Sequence, residues 1–303
     1  MRVLSKKYYK LGVGGAAFNV FNVLLLLSFT FICIYPFYYI AISSFSSARA
    51  ISRGVFLWPR EFNLEGYKTV LSTPGIGQSA FISLSRTIIG TTLVVTCSTF
   101  VGYIFSYPEI LFRKFLYRAF ITTMYISAGF VPYYVLMANL GLRNNFLIYI
   151  LPGALSAYFI ILTKTYIESL PDSLREAAEI DGAGVIKIFF VVVAPLCTPI
   201  IACLVVFSAV GQWNSWADTL YYISNSDLYP LQYRLYVMLQ NNMAEAMKNA
   251  NATAETARAA QQQMTPTALR LTMTFITTVP ILIVYPFMQR YFVKGMLLGA
   301  IKG

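Results

Sequence analysis

Long apolar runs, each bounded by charged residues, set the pattern of this chain. A helix needs about 20 mostly apolar residues to cross a bilayer, and about six such runs are present. They lie near residues 18–43, 87–107, 119–140, 146–166, 188–210 and 270–289. The third carries Gly129 and Pro132 at its middle. The first far exceeds the roughly 7–15-residue apolar core of a cleavable signal peptide, and no small-residue cleavage pattern follows it. It is expected to stay as an anchor. The pattern predicts an all-α, polytopic membrane protein with one transmembrane domain over residues 1–303, interrupted by polar segments at 168–187, 211–268 and 290–303.

The cations order these segments. Arg2, Lys6, Lys7 and Lys10 precede the first run, and Arg113, Lys114 and Arg118 lie between the second and third. Lys164 lies at the end of the fourth, Arg175 and Lys187 lie between the fourth and fifth, and Arg290, Lys294 and Lys302 follow the sixth. With six spans all of these fall on one side, which the positive-inside rule assigns to the cytoplasm together with both termini. The opposite side then holds two long segments, roughly 44–85 and 211–268. The second contains NNMAEAMKNANATAETARAAQQQM, whose composition favours helix and is too polar for lipid. A solvated spacer and a docking element for an external partner both fit it.

Composition agrees with a membrane solvent. The chain is 57% hydrophobic and 12% charged, against about 25% charged residues in soluble domains. Its net charge of +11 sits at the ends of apolar runs, which suits headgroups and cytoplasmic loops rather than nucleic acid. With no His, the commonest metal ligand and acid–base group is missing. Cys33, Cys97, Cys197 and Cys203 lie in apolar stretches without a CxxC pair, so they read as packed small residues. No metal site and no catalytic residue are expected. There is also no G-x-x-x-x-G-K-[ST] string to cradle phosphates, so no ATP hydrolysis by this chain is expected.

The segment ESLPDSLREAAEIDGAGVIKIFFVVVAPLCTP carries the most information. Ser173 and Glu176 have the spacing of a capping box, predicting a short helix from about Leu174. Ala177 and Ala178 give that helix a slim face, Glu176, Glu179 and Asp181 supply acidity for basic groups on a partner, and Gly182 permits a turn.

The string Glu176-Ala177-Ala178-Glu179-Ile180-Asp181-Gly182-Ala183, followed by Phe189, Pro195 and Pro199, resembles the EAA loop of binding-protein-dependent ABC importer permeases. SLSRTIIGTTLVV, GLRNNFLIYILP, GQWNSWADTLYY with YPLQYRL, and YPFMQRYFVKGMLLGAIKG resemble segments of the maltose-type second permease of the carbohydrate-uptake branch. The C-terminal string is most similar to a subgroup associated with complex oligosaccharides. Two departures stand out: Phe81-Ile-Ser-Leu, where the family pattern has an Asn, and the Ala/Gln-rich insertion after Asn241. The resemblance implies a type I (MetI-like) permease fold in the bacterial plasma (inner) membrane. Its implied partners are a second permease in a heterodimer, an extracytoplasmic binding protein that delivers an oligosaccharide, and two ATPase subunits holding ATP and Mg. It implies that Glu176, Ala177, Ala178, Asp181, Gly182 and Ala183 couple to an ATPase. It also implies that the tail, with Lys294, Gly295, Gly299, Lys302 and Gly303, reaches between the ATPases.

A polar solute needs a polar path through the spans. Asn139, Gln212, Asn214 and Gln240 offer amides, and Tyr133, Tyr134, Trp213 and Trp216 offer ring faces for sugars. An interfacial aromatic belt competes with that reading for both tryptophans. Pro36, Pro132, Pro280 and Pro286 are flex points or passive helix residues. An ion-coupled secondary transporter is the alternative class, but it places ionisable groups within the spans, and these runs are almost free of charge.

Overall fold

The computed structural model describes the backbone of residues 13–249 and 266–300. Its helices are α1 (Val13–Ser44), α2 (Ala48–Arg53), α3 (Glu65–Ser72), α4 (Ile76–Ser106), α5 (Arg113–Thr122), α6 (Phe130–Asn139) and α7 (Ala157–Ile167). They continue with α8 (Ser173–Ile180), α9 (Val185–Ile188), α10 (Ala194–Leu196), α11 (Thr198–Asn214), α12 (Ala217–Tyr222), α13 (Leu231–Asn249) and α14 (Pro266–Ala300). Among the described residues, three helices are long and apolar enough to cross a membrane. The pair Val185–Leu196 and Thr198–Asn214, bent by 82°, makes a fourth if it is one span.

The expected spans at 119–140, 146–166 and 188–210 are interrupted, each for a local reason. In the first, α5 stops at Thr122 and α6 starts only at Phe130, because Gly129 adopts φ 82°, ψ 175°, which side chains with a Cβ avoid. Pro132 then falls in the first turn of α6, where its missing N–H costs nothing. In the second, Phe146–Tyr149 is a short 3₁₀ turn, Pro152 and Gly153 follow, and only Ala157–Ile167 is α-helical. In the third, Phe189–Val193 winds as a π-helix before the chain bends between Pro195 and Pro199. Pro199 cannot donate to the carbonyl of Pro195, so the Thr198 hydroxyl does so instead at 2.6 Å.

Two compact units make up the described chain: residues 13–69 with 266–275, and residues 70–249 with 276–300. In the first unit, Phe45 stacks on Tyr67 at 5.2 Å and meets Phe275 edge-on, while Ser47 caps α2 by accepting from the Ala50 N–H at 3.1 Å. The apolar window of α1 has none of its residues buried by the described residues. A helix apolar on all sides requires lipid or another subunit around it.

α4 is the spine of the second unit. Its packed positions are largely small or polar, including Ser79, Ser83, Gly90, Thr91, Ser98 and Gly102, as expected where helices approach closely in a membrane. A Cβ on Gly102 would lie 2.9 Å from Thr163 Cβ and 3.1 Å from the Ile160 carbonyl oxygen, so this glycine sets the α4–α7 distance. Val94, Val95 and Leu204 fill the α4–α11 contact. Tyr103, Tyr107, Ile188, Phe189, Val193 and Cys197 form a second apolar cluster at the far end of α4.

Candidate functional site

Two places combine polar chemistry with an unusual backbone, and α8 is the first. The predicted capping box does not form: Ser173 lies inside α8, and Asp172 is the N-cap, without a side-chain capping bond. Asp172 already has helical angles (φ −60°, ψ −29°), so Ser173 lacks the extended geometry that capping needs. The other end is closed as the sequence requires. Gly182 (φ +73°) donates its N–H to the Glu179 carbonyl, and Ala183 donates to the Ala178 carbonyl, each at 3.0 Å. That pair of bonds is a Schellman motif, and its left-handed residue favours glycine.

The motif divides α8 into two faces. Ala178 and Ala183 pack on the cluster around Tyr103 and Phe189. Glu176, Ala177 and Asp181 are exposed, and Ile180 (86% exposed) and Ile186 (63%) present apolar surface that nothing among the described residues covers. Glu179 is not on the outward face with the other two acids. The Tyr107 hydroxyl, just past the end of α4, donates to Glu179 Oε1, and Arg175 lies over the Tyr107 ring at 5.0 Å and 3.7 Å from Glu179. The bond to Glu179, followed by burial, pushes the Tyr107 phenol up to about 12. Of the tail residues, Lys294, Gly295 and Gly299 belong to the helical backbone of α14, which runs through the expected tail at 290–303 as far as Ala300. Lys302 and Gly303 lie outside the described residues.

The second place is a cleft of about 480 Å³ beside α4, lined among others by Arg86, Tyr133, Tyr149, Gln212, Asp218 and Tyr222. Arg86 is only 2% exposed. Its Nη2 meets Asp218 Oδ2 at 2.5 Å, and Nη1 donates to Asp218 Oδ1 at 3.3 Å and to the Ser215 carbonyl at 3.2 Å. Nε and Nη2 donate to Gln212 Oε1, and the guanidinium lies 4.3 Å from the Tyr149 ring centroid. A buried arginine is tolerable only with such pairing. Gly90 makes room for the arrangement, since a Cβ there would lie 2.7 Å from Gln212 Nε2.

Of the path residues expected from sequence, Tyr133 and Gln212 line this cleft. Tyr134 stacks on Tyr222 at 5.7 Å instead, and Asn139 is exposed at the end of α6. Trp213 is buried and donates to the Thr277 carbonyl at 2.8 Å. Asn214 accepts from Gln232, Trp216 stacks on Tyr236 at 4.1 Å, and Gln240 is exposed on α13. Sequence reasoning missed Arg86, Asp218, Tyr149 and Tyr222. The signal available was the spacing of Ser79, Ser83, Arg86 and Gly90, a helical stripe of polar and small residues continuous with the second run.

Long apolar helices around a polar cleft, with a glycine-closed acidic helix outside them, define an integral-membrane permease subunit. The model of the binding-protein-dependent transport system inner membrane component family matches residues 94–298, and the chain belongs to that family. Protein LplC of Bacillus subtilis (strain 168) is 35% identical over 291 residues, 95% of this chain and 96% of that protein. The polygalacturonan/rhamnogalacturonan transport system permease protein YtcP of the same organism is 32% identical over 285 residues, covering 92% and 96%. Among solved structures, a bacterial ABC transporter involved in the import of the acidic polysaccharide alginate matches with a TM-score of 0.80 and 30% identity. That match covers 92% of this chain and 98% of the other.

Proposed function

We propose that this permease and a second, different permease subunit together form the path by which an oligosaccharide crosses the bacterial plasma membrane. An extracytoplasmic binding protein delivers the sugar. Two ATPase subunits, holding ATP and Mg, supply the energy. The reading rests on one observation above all: the outward face of α8, with Glu176, Ala177, Ile180 and Asp181, is exposed beside a left-handed glycine turn. A short helix whose inner face is locked to the α4–α9 cluster and whose outer face is uncovered can transmit a push from a partner into the bundle. The distribution of Lys and Arg supports a cytoplasmic side for that helix and for both termini, where ATP is available.

In this mechanism ATP-driven closure of the ATPases moves α8. The motion passes through Ala178, Ala183 and the Tyr107–Glu179 bond into α4 and α9, which changes access to the cleft. The polygalacturonan/rhamnogalacturonan and alginate systems named above support a saccharide as the solute. Gly182→Pro tests the coupling directly. Proline cannot adopt φ +73° and removes the N–H that closes α8. The substituted chain is expected to insert normally, yet to lose most ATPase subunits on mild detergent extraction or to hydrolyse ATP without uptake. Normal uptake by this variant, or by Glu176→Lys, would remove α8 as the coupling element.

A further inference from the structure

The charge balance of the cleft bears on which sugars it accepts. Among its lining residues, the formal charges are Arg86 and Asp218, and they neutralise each other. Arg143, which lies 5.4 Å from the Tyr134 ring centroid, is not part of the lining. Every nitrogen of the Arg86 guanidinium already donates within the chain, to Asp218, Gln212 or Ser215. Among the described residues, no cationic donor of the lining is therefore left for an incoming carboxylate.

The remaining capacity is of another kind. A carboxylate accepts about four hydrogen bonds. Asp218 uses three sites, two on Oδ1 for Arg86 and the Thr219 N–H and one on Oδ2 for Arg86. Its side chain is 23% exposed, so Oδ2 can still accept a hydroxyl. The Tyr133 hydroxyl and the Gln212 amide nitrogen have no hydrogen bond among the described residues, and the Tyr133 and Tyr222 rings meet edge-on at 6.3 Å. Ring faces, a phenol, an amide and one spare carboxylate site suit sugar rings and neutral hydroxyls. A uronate carboxylate would be desolvated beside Asp218 with no free cation among the described lining residues to compensate it, an arrangement that costs affinity.

We infer that this cleft is a subsite for uncharged sugar units and discriminates against uronates, with Asp218 as the discriminating residue. The inference rests on the reading of the cleft as part of the translocation path.

The test uses the full transporter in nanodiscs and matched probes: galacturonate oligomers and the same oligomers with their carboxyl groups reduced to alcohols. Equilibrium binding is measured for the wild type, Asp218→Asn and Tyr133→Lys. Tyr133 is 41% exposed, so Tyr133→Lys adds a cation to the lining without breaking the buried pair and covers the case in which Asp218→Asn fails to assemble. The wild type is expected to bind the reduced oligomers about tenfold or more tighter than the uronates, and either substitution to narrow or reverse that ratio. Equal or tighter uronate binding by the wild type would overturn the selectivity while leaving the path reading in place. Binding of neither probe by the wild type and both variants would overturn both.

Discussion

Arg86 lies inside α4, well past its first residue, Ile76, so its charge cannot escape to a headgroup by extending along the helix. Its neighbours must hold it, and Asp218 does most of that work. Asp218→Ala is therefore expected to lower the stability of the purified complex by about 3–5 kcal/mol, because it leaves a buried, uncompensated cation. The Arg86→Met, Asp218→Leu double substitution is expected to cost much less, and thermal unfolding in one detergent compares the two. An equal loss in both would mean that the ion pair is not what holds this corner together. Tyr107 supplies a second residue-scale prediction. Its phenol is raised from 10 to about 12, first by the bond to Glu179 and then by burial, so the contribution of that bond is fully present below pH 10 and disappears as pH rises through about 12. Across the physiological range it is constant. Tyr107→Phe at pH 8 is expected to speed hydrogen exchange of the α8 amides severalfold, and unchanged exchange would remove this bond as the tether of α8.

At the scale of elements, two glycines of α4 make opposite predictions. Gly102→Val places carbon against a backbone carbonyl of α7, so α4 and α7 must separate, at a cost of about 1–3 kcal/mol. Gly77→Ala meets nothing within 4 Å and is expected to gain a few tenths of a kcal/mol, up to about 1, from helix propensity. Melting temperatures of the two variants should move in opposite directions, and a shared direction would discard α4 as the close-packed spine. The same helix shows what could be read without coordinates. The apolar run at 87–107 covers the larger part of this helix, but the stretch 76–86 looked like loop because Ser79, Ser83 and Arg86 are polar. Those residues are satisfied by groups distant in sequence, the Leu231 N–H, Arg234 and Asp218, which local periodicity cannot reveal. The breaks at Gly129, Pro152–Gly153 and Pro195–Pro199 were visible as residues, yet an apolar run alone cannot show whether a proline bends a span or is absorbed in a first turn.

At the scale of the whole molecule, the pattern and the EAA segment were enough to establish class and family, because both are local features of sequence. The interior cleft was only partly legible: Tyr133 and Gln212 could be chosen by chemistry, whereas Asp218 was assigned to an outer segment and Arg86 to a boundary. α14 carries the last consequence. It is 35 residues long, about 50 Å at the usual rise, whereas the hydrocarbon layer is about 30 Å thick. Its apolar portion, Thr267–Val284, is enough to fill that layer. The turns from residue 285 to Ala300 continue as helix beyond the length needed to cross that layer. In the arrangement proposed above, with the C-terminus in the cytoplasm, this extension runs toward the ATPase subunits. Truncation after Tyr291 is expected to leave assembly intact and to lower transport-coupled ATPase activity severalfold, and Gly295→Pro, which breaks the helix without shortening the chain, should lower it in the same direction. Full coupling in both variants would mean that the projecting turns take no part in transmission, leaving α8 as the sole proposed lever.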